Sequence, residues 1–299
     1  MLVLKDYIYD FSDKNKPAGE CENGEIVQFV TEDCFGGQIK SEKDSHDNVD
    51  FHHTNPATGP LFVKGAEVGD TLAVDILDVE VADHGAVCTI SNYGCMWPGC
   101  VQRTKIIPIK DGQAYYNDTH WPVDPMIGVI GTASSENVPS GISFNGGGNM
   151  DSRIITKGVT VYFPVRTEGA LLAMGDLHAS MGDGEVCETG IEIAGKVTVR
   201  VRVIKNFKLN WPVTETKDEW YVNTNGYTCD RAVKFGYDEL ARLIMDAYGW
   251  DYTDTVMYIS LMGRIGANQA CLDPGTIDNE GPTFRVGIAK DKIKPRLIP

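Results

Sequence analysis

The sequence predicts a mainly β protein of the α+β class, sandwich-like, with a smaller helical part towards the C-terminus. Two long segments, Thr71 to Val81 and Ile191 to Ile204, alternate apolar and polar residues, as a strand buried on one face must. In the second, Lys196, Thr198, Arg200 and Arg202 share one face and Val197, Val199, Val201 and Val203 the other. The stretches 158–165 and 283–288 are shorter strand candidates. Short strands joined by glycine-rich turns describe a sandwich or barrel rather than a parallel α/β sheet. The helical part rests on one segment, 230–248, where Val233, Tyr237, Leu240, Ala241, Ile244 and Ala247 recur at three- and four-residue spacing. Thr228 or Asp230 can cap its start, and Gly249 follows its end. From Thr255 to Met262 an apolar run is too short for periodicity to separate helix from strand.

The 299 residues fit one large β-rich domain over 1–299, or two β lobes with helix 230–248 packed on one of them. There are 27 Lys and Arg against 42 Asp and Glu, so the net charge is 27 − 42 = −15. That balance argues against nucleic acid or an anionic membrane as partner, because both need a basic footprint. The only basic stretch is the tail with Lys290, Lys292, Lys294 and Arg296, read as a short solvated end. No apolar run reaches membrane-spanning length, and the N-terminus lacks a charged segment followed by an apolar one. A soluble, cytoplasmic protein is the expectation. Eight scattered cysteines with no C-x-x-C pair read as free thiols in a reducing compartment.

Familiar catalytic signatures are absent: no H-E-x-x-H, no G-x-S-x-G, no phosphate-binding loop lysine and no EF-hand order. What stands out is polar function where the backbone must turn. One such stretch is Asn145 to Asp151, which contains three consecutive glycines. The other, Gly175 to Glu185, follows the apolar strand Ala170 to Met174. If that strand continues, Asp176 and His178 project from one face, where a carboxylate and an imidazole can bind a divalent metal or act as an acid–base pair. Asp183 and Glu185 repeat the spacing, and the four groups converge if the segment is a hairpin. The same residues would also serve an ordinary turn and a structural histidine. His46, His84 and His120 read as loop or turn residues, and of the adjacent His52 and His53 at most one can join any one site; all five read as structural or solvated rather than catalytic.

Several of these stretches together resemble the acetamidase/formamidase family. Asn55 to Pro60 followed by Val63 to Asp70 is similar to its NPATGP…GAEPGD segment, and Pro125 to Gly131 to its PMIGVIG block. Gly147 to Asp151 matches its GGNMD turn, and Gly169 to Glu185 its GALLALGDLHAxMGDGE block. Gly146 stands where the family often has histidine, and Arg264 where it tends to have an acidic residue. The resemblance implies a β-rich sandwich, a homodimer, and hydrolysis of small aliphatic amides to carboxylate and ammonia. It also implies a divalent metal, zinc, and a calcium held by the carboxylates from Asp183 to Glu188 is compatible with it. Alternatives are hydrolysis of another amide-like bond, such as a lactam, or a non-catalytic metal- or ligand-binding sandwich. On the amidase reading, Asp176 and His178 supply metal ligands, with Asp151, Asp183 or Glu185 completing the set. Glu136 serves as general base and then as acid to nitrogen, and Asn149 or the backbone amides of the glycine turn hold the oxyanion.

Overall fold

The computed structural model describes all residues except 98, 272–280 and 293–295. Among the described residues two large sheets carry the chain. The nine-stranded sheet runs in the order Leu2–Leu4, Ile26–Thr31, Gly195–Ile204, Thr71–Val81, Thr160–Pro164, Val213–Glu215, Glu219–Asn225, Thr283–Ala289, Gly263–Ala267. The second sheet has twelve strands, and at its centre Leu172–His178 pairs with Met126–Gly131, Ala57–Val63 and Glu192–Ile193. Thr71–Val81 has the bounds that its alternation predicts. The 191–204 segment is divided: Glu192–Ile193 joins the twelve-stranded sheet and Gly195–Ile204 the nine-stranded one. Gly195 sits at the crossing, where a Cβ would lie 2.2 Å from the Glu80 carbonyl oxygen.

The apolar faces close one continuous core. Phe29, Val74, Ile76 and Val199 from the first sheet meet Ile127, Leu172, Met174 and Leu177 from the second. A second cluster lies where the long helix Cys229–Tyr248 covers the end of the nine-stranded sheet, with Leu240, Leu243 and Ile244 against Trp220, Val222 and Ile288. This is the small C-terminal helical part that the sequence predicts. Gly249 ends the helix in the left-handed conformation, and its N–H donates to the Met245 carbonyl. At the start the Thr228 hydroxyl donates to Asp230 rather than accepting a backbone N–H. The ambiguous run is helical, Tyr252–Met262, because Asp251 accepts the Asp254 N–H as N-cap.

The basic tail corrects its solvated reading. Lys290 and Arg296 both pair with Glu215, at 2.6 and 2.7 Å, and Leu297 and Ile298 are buried in the helical core. Lys294 lies outside the described residues. All eight cysteines are free thiols. No helix among the described residues is long and apolar enough to cross a membrane.

Candidate active site

The site is built on two long central strands of the twelve-stranded sheet. Every residue of Met126–Gly131 and of Leu172–His178 is buried. Ile127 faces Leu177 and Val129 faces Gly175, which sets Gly128 opposite Asp176. Asp176 and His178, two apart, project together as their spacing predicts, with His178 Nε2 3.3 Å from Asp176 Oδ1. Beyond Gly147–Asn149, the neighbour of Met126–Gly131 on its other side, Asp151 reaches to 3.8 Å from the same nitrogen. Glu192, from the short strand beside His178, lies 3.1 Å from it. On the ring's other side Glu185 Oε1 is 3.8 Å from Nδ1.

Glycines make the room. A Cβ at Gly128 would fall 2.4 Å from Asp151 Oδ1 and 2.6 Å from Asp176 Oδ2, and one at Gly190 would fall 2.6 Å from His178 Nδ1. Three of the carboxylates also leave ordinary backbone geometry, with φ of 43° at Asp151, 53° at Asp176 and 46° at Glu185. A left-handed conformation costs a residue with a Cβ about 1–3 kcal/mol, so the surrounding structure imposes these orientations.

All five groups are at most 4% exposed, yet they line a cavity of 530 Å³. Although they lie in ion-pair range of one another, Asp151 Oδ1, Asp176 Oδ1, Glu192 Oε2 and His178 Nδ1 are buried without a well-aligned hydrogen bond. Crowding then sets the proton distribution. Burial, reinforced by Glu185 and Asp176, raises the pKa of Asp151. Burial pushes Glu185 to about 7 and Glu192 to about 8, against the pull of His178. Burial opposes ionisation of Asp176 too, but the neighbouring imidazolium brings its pKa below the usual value. Burial works against charge on His178, and Glu192 and Asp176 override it and raise its pKa well above the ordinary value.

Ionised together, four buried carboxylates would outweigh one imidazolium, so without a cation Asp151, Glu185 and Glu192 are driven towards their protonated forms. A divalent cation fits the set, because oxygen and imidazole donors with free lone pairs converge there. The cluster has two faces: Asp151, His178 and Glu185 offer donors within 4.8 Å of one another, and so do Cys34, Asp176 and Glu192.

The structure brings Asp151, Asp176, His178 and Glu185 together, and Asn149 lines the same cavity with its Oδ1 unpartnered. Two expected residues lie elsewhere. Asp183 pairs with Arg285 at 2.7 Å and does not line the cavity. Glu136 is exposed on a turn, its N–H held by Ser134 Oγ, and is also outside the cavity lining. His46, read as loop, is buried and lines the cavity. Glu192, Cys34 and Gln269 also line it and were not read from the sequence. The one signal for Glu192 was a carboxylate between two isoleucines just after Gly190. Gly146, where a histidine was expected, packs on Phe144: a Cβ there would lie 2.4 Å from that ring.

Comparison with known proteins places the chain among amide hydrolases. A Schizosaccharomyces pombe formamidase candidate is 28% identical over 63% of this chain, and the match spans 62% of that relative's length. The crystal structure of an acetamidase from Bacillus halodurans superposes with a TM-score of 0.91 at 35% identity, covering 96% of this chain and 97% of that one. A predicted acetamidase/formamidase from Thermoanaerobacter tengcongensis superposes equally well, at 0.91 and 38% identity over 96% and 95% of the two chains. The family model for acetamidases and formamidases matches residues 12–143 and 138–237, and with most of the chain so covered, the protein belongs to the acetamidase/formamidase family.

Proposed function

We propose that the cavity hydrolyses small aliphatic amides such as formamide and acetamide to carboxylate and ammonia, with a zinc ion held by Asp151, Asp176, His178 and Glu192. The observation that carries this is the convergence of buried carboxylates with unpartnered oxygens on one buried imidazole in the wall of a cavity. The family and its named relatives supply the substrate class. When bound, such an ion polarises an amide carbonyl or lowers the pKa of water.

The chain's own residues supply the rest. Glu185 takes the role expected of Glu136, because it lies in the cavity and Gln269 fixes it by donating to Oε2 at 2.9 Å. Its other oxygen accepts a proton from the attacking water and returns it to nitrogen, so that the C–N bond breaks as ammonia leaves. Asn149 donates its amide N–H to the carbonyl oxygen as negative charge builds there. Asp183 and Glu136 take no part.

Ammonia release and bound zinc, measured on wild type and variants, test this reading. His178→Ala should lose both the ion and turnover. Glu185→Gln should keep the ion and lose about 10²–10⁴ in kcat. Glu136→Gln and Asp183→Asn should keep both. Wild-type zinc content and rate in His178→Ala would sink the assignment.

A further inference from the structure

The cavity is larger than its small-amide substrates require, and its walls are not uniform. Acetamide occupies roughly the liquid volume of three waters, at about 30 Å³ each. The cavity has 530 Å³, a size usual for pockets that enclose much larger ligands. Its ionisable groups are gathered around His178. Facing the same space is an aromatic wall of Phe35, His46 and Phe51, with Ile90 and Tyr93 beside it.

That wall is braced. Two short 3₁₀ turns present His46 and Phe51, His46–Asn48 capped by Ser45 and Phe51–His53 capped by Asp50. The Asp50 N–H donates to Gln38 Oε1 at 2.8 Å, and the Thr104 hydroxyl donates to the Asp44 carbonyl at 2.7 Å. The His46 ring meets Phe35 edge-on at 6.0 Å and Phe51 at 5.0 Å. Burial holds the His46 imidazole below its usual pKa, so the wall is uncharged at neutral pH. Phe51 lines the cavity, is held by the His46 ring and remains 58% exposed, a large apolar side chain left largely uncovered. A substrate as small as acetamide, held by its carbonyl at the His178 cluster, leaves such a surface unused.

We propose that the preferred substrate is an amide bearing a phenyl-sized apolar group, its carbonyl at the His178 cluster and its ring against Phe35, His46 and Phe51. This deepens the amide-hydrolysis reading and rests on it. The ring can hang from the acyl carbon or from the nitrogen, and the two are separated by experiment.

The test compares kcat/KM for acetamide, phenylacetamide and N-phenylformamide in wild type, Phe51→Ala and Phe51→Leu. Wild type should favour one of the phenyl-bearing amides over acetamide by about tenfold or more. A preference for phenylacetamide places the ring on the acyl side, and one for N-phenylformamide places it on nitrogen. Phe51→Ala should cut that ratio about tenfold, and Phe51→Leu should recover part of it. Turnover of acetamide with no gain from the ring overturns the proposal and leaves amide hydrolysis standing. If no amide is hydrolysed, the hydrolysis reading fails, and equilibrium binding of the same three amides decides the wall. Tighter binding of a ring-bearing amide, lost in Phe51→Ala, supports it, and equal binding overturns it.

Discussion

Gly128 and Gly190 shape the site by what they lack. Each lies where a methyl group would strike a functional atom, so Gly128→Ala tests the geometry without removing any charged group. The substitution should displace Asp151 or Asp176 and lower both zinc occupancy and kcat/KM at least about tenfold, read by metal analysis and ammonia release, while far-UV circular dichroism stays native. At this scale part of the site was legible. The spacing of Asp176 and His178 announced a shared face, and the glycine turn pointed to Asp151. Glu136 was misplaced because proximity to a motif in sequence says nothing of which side of a turn faces the cavity. Glu192 escaped notice because the alternation around it reads as a half-exposed strand, whereas both faces there are buried. Cys34 and Gln269 reach the site through contacts that no local pattern encodes, 142 and 91 residues from Asp176 and His178 in the chain.

Elements differ in how they declare themselves. Thr71–Val81 and Gly195–Ile204 are half-buried for much of their length, so alternation reveals them. Met126–Gly131 and Leu172–His178 are buried on both faces, so they carry continuous apolar runs with no period to read. The strands that hold the chemistry are therefore the ones periodicity describes least. Helix ends obey simpler rules. Gly249 has φ of 69° and open space around its Cβ position, so Gly249→Ala isolates the backbone cost. It should destabilise the protein by about 1–2 kcal/mol. A thermal melt should show this as a fall of a few degrees in Tm.

Across the whole molecule, excess acid is managed by pairing at particular places. Asp70 is one: its carboxylate accepts from Lys205 Nζ at 2.7 Å and from the backbone N–H of Asn206 and Glu67 at 2.9 Å each, tying the 63–70 turn to the end of Gly195–Ile204. Burial opposes its charge, but these donors bring its pKa below the ordinary value. A lowered folded-state pKa means stabilisation that is full above the unfolded value of about 3.9 and is lost as pH falls through the folded one. Asp70→Asn should therefore cost about 1–3 kcal/mol at pH 7. The gap between variant and wild type in urea unfolding should narrow below about pH 4.

The acidic cluster has a further consequence for how the chain assembles. Its members come from the glycine turn, a central strand, the following loop and a short strand, and Met126–Gly131 must insert between two neighbours before they meet. In the extended chain these charges are far apart and scarcely repel. Repulsion arises only as those strands zip together, and such long-range pairing comes after local structure. Protons or cations that relieve it bind the closed cluster better than the open chain, so folding and occupancy of the site are linked.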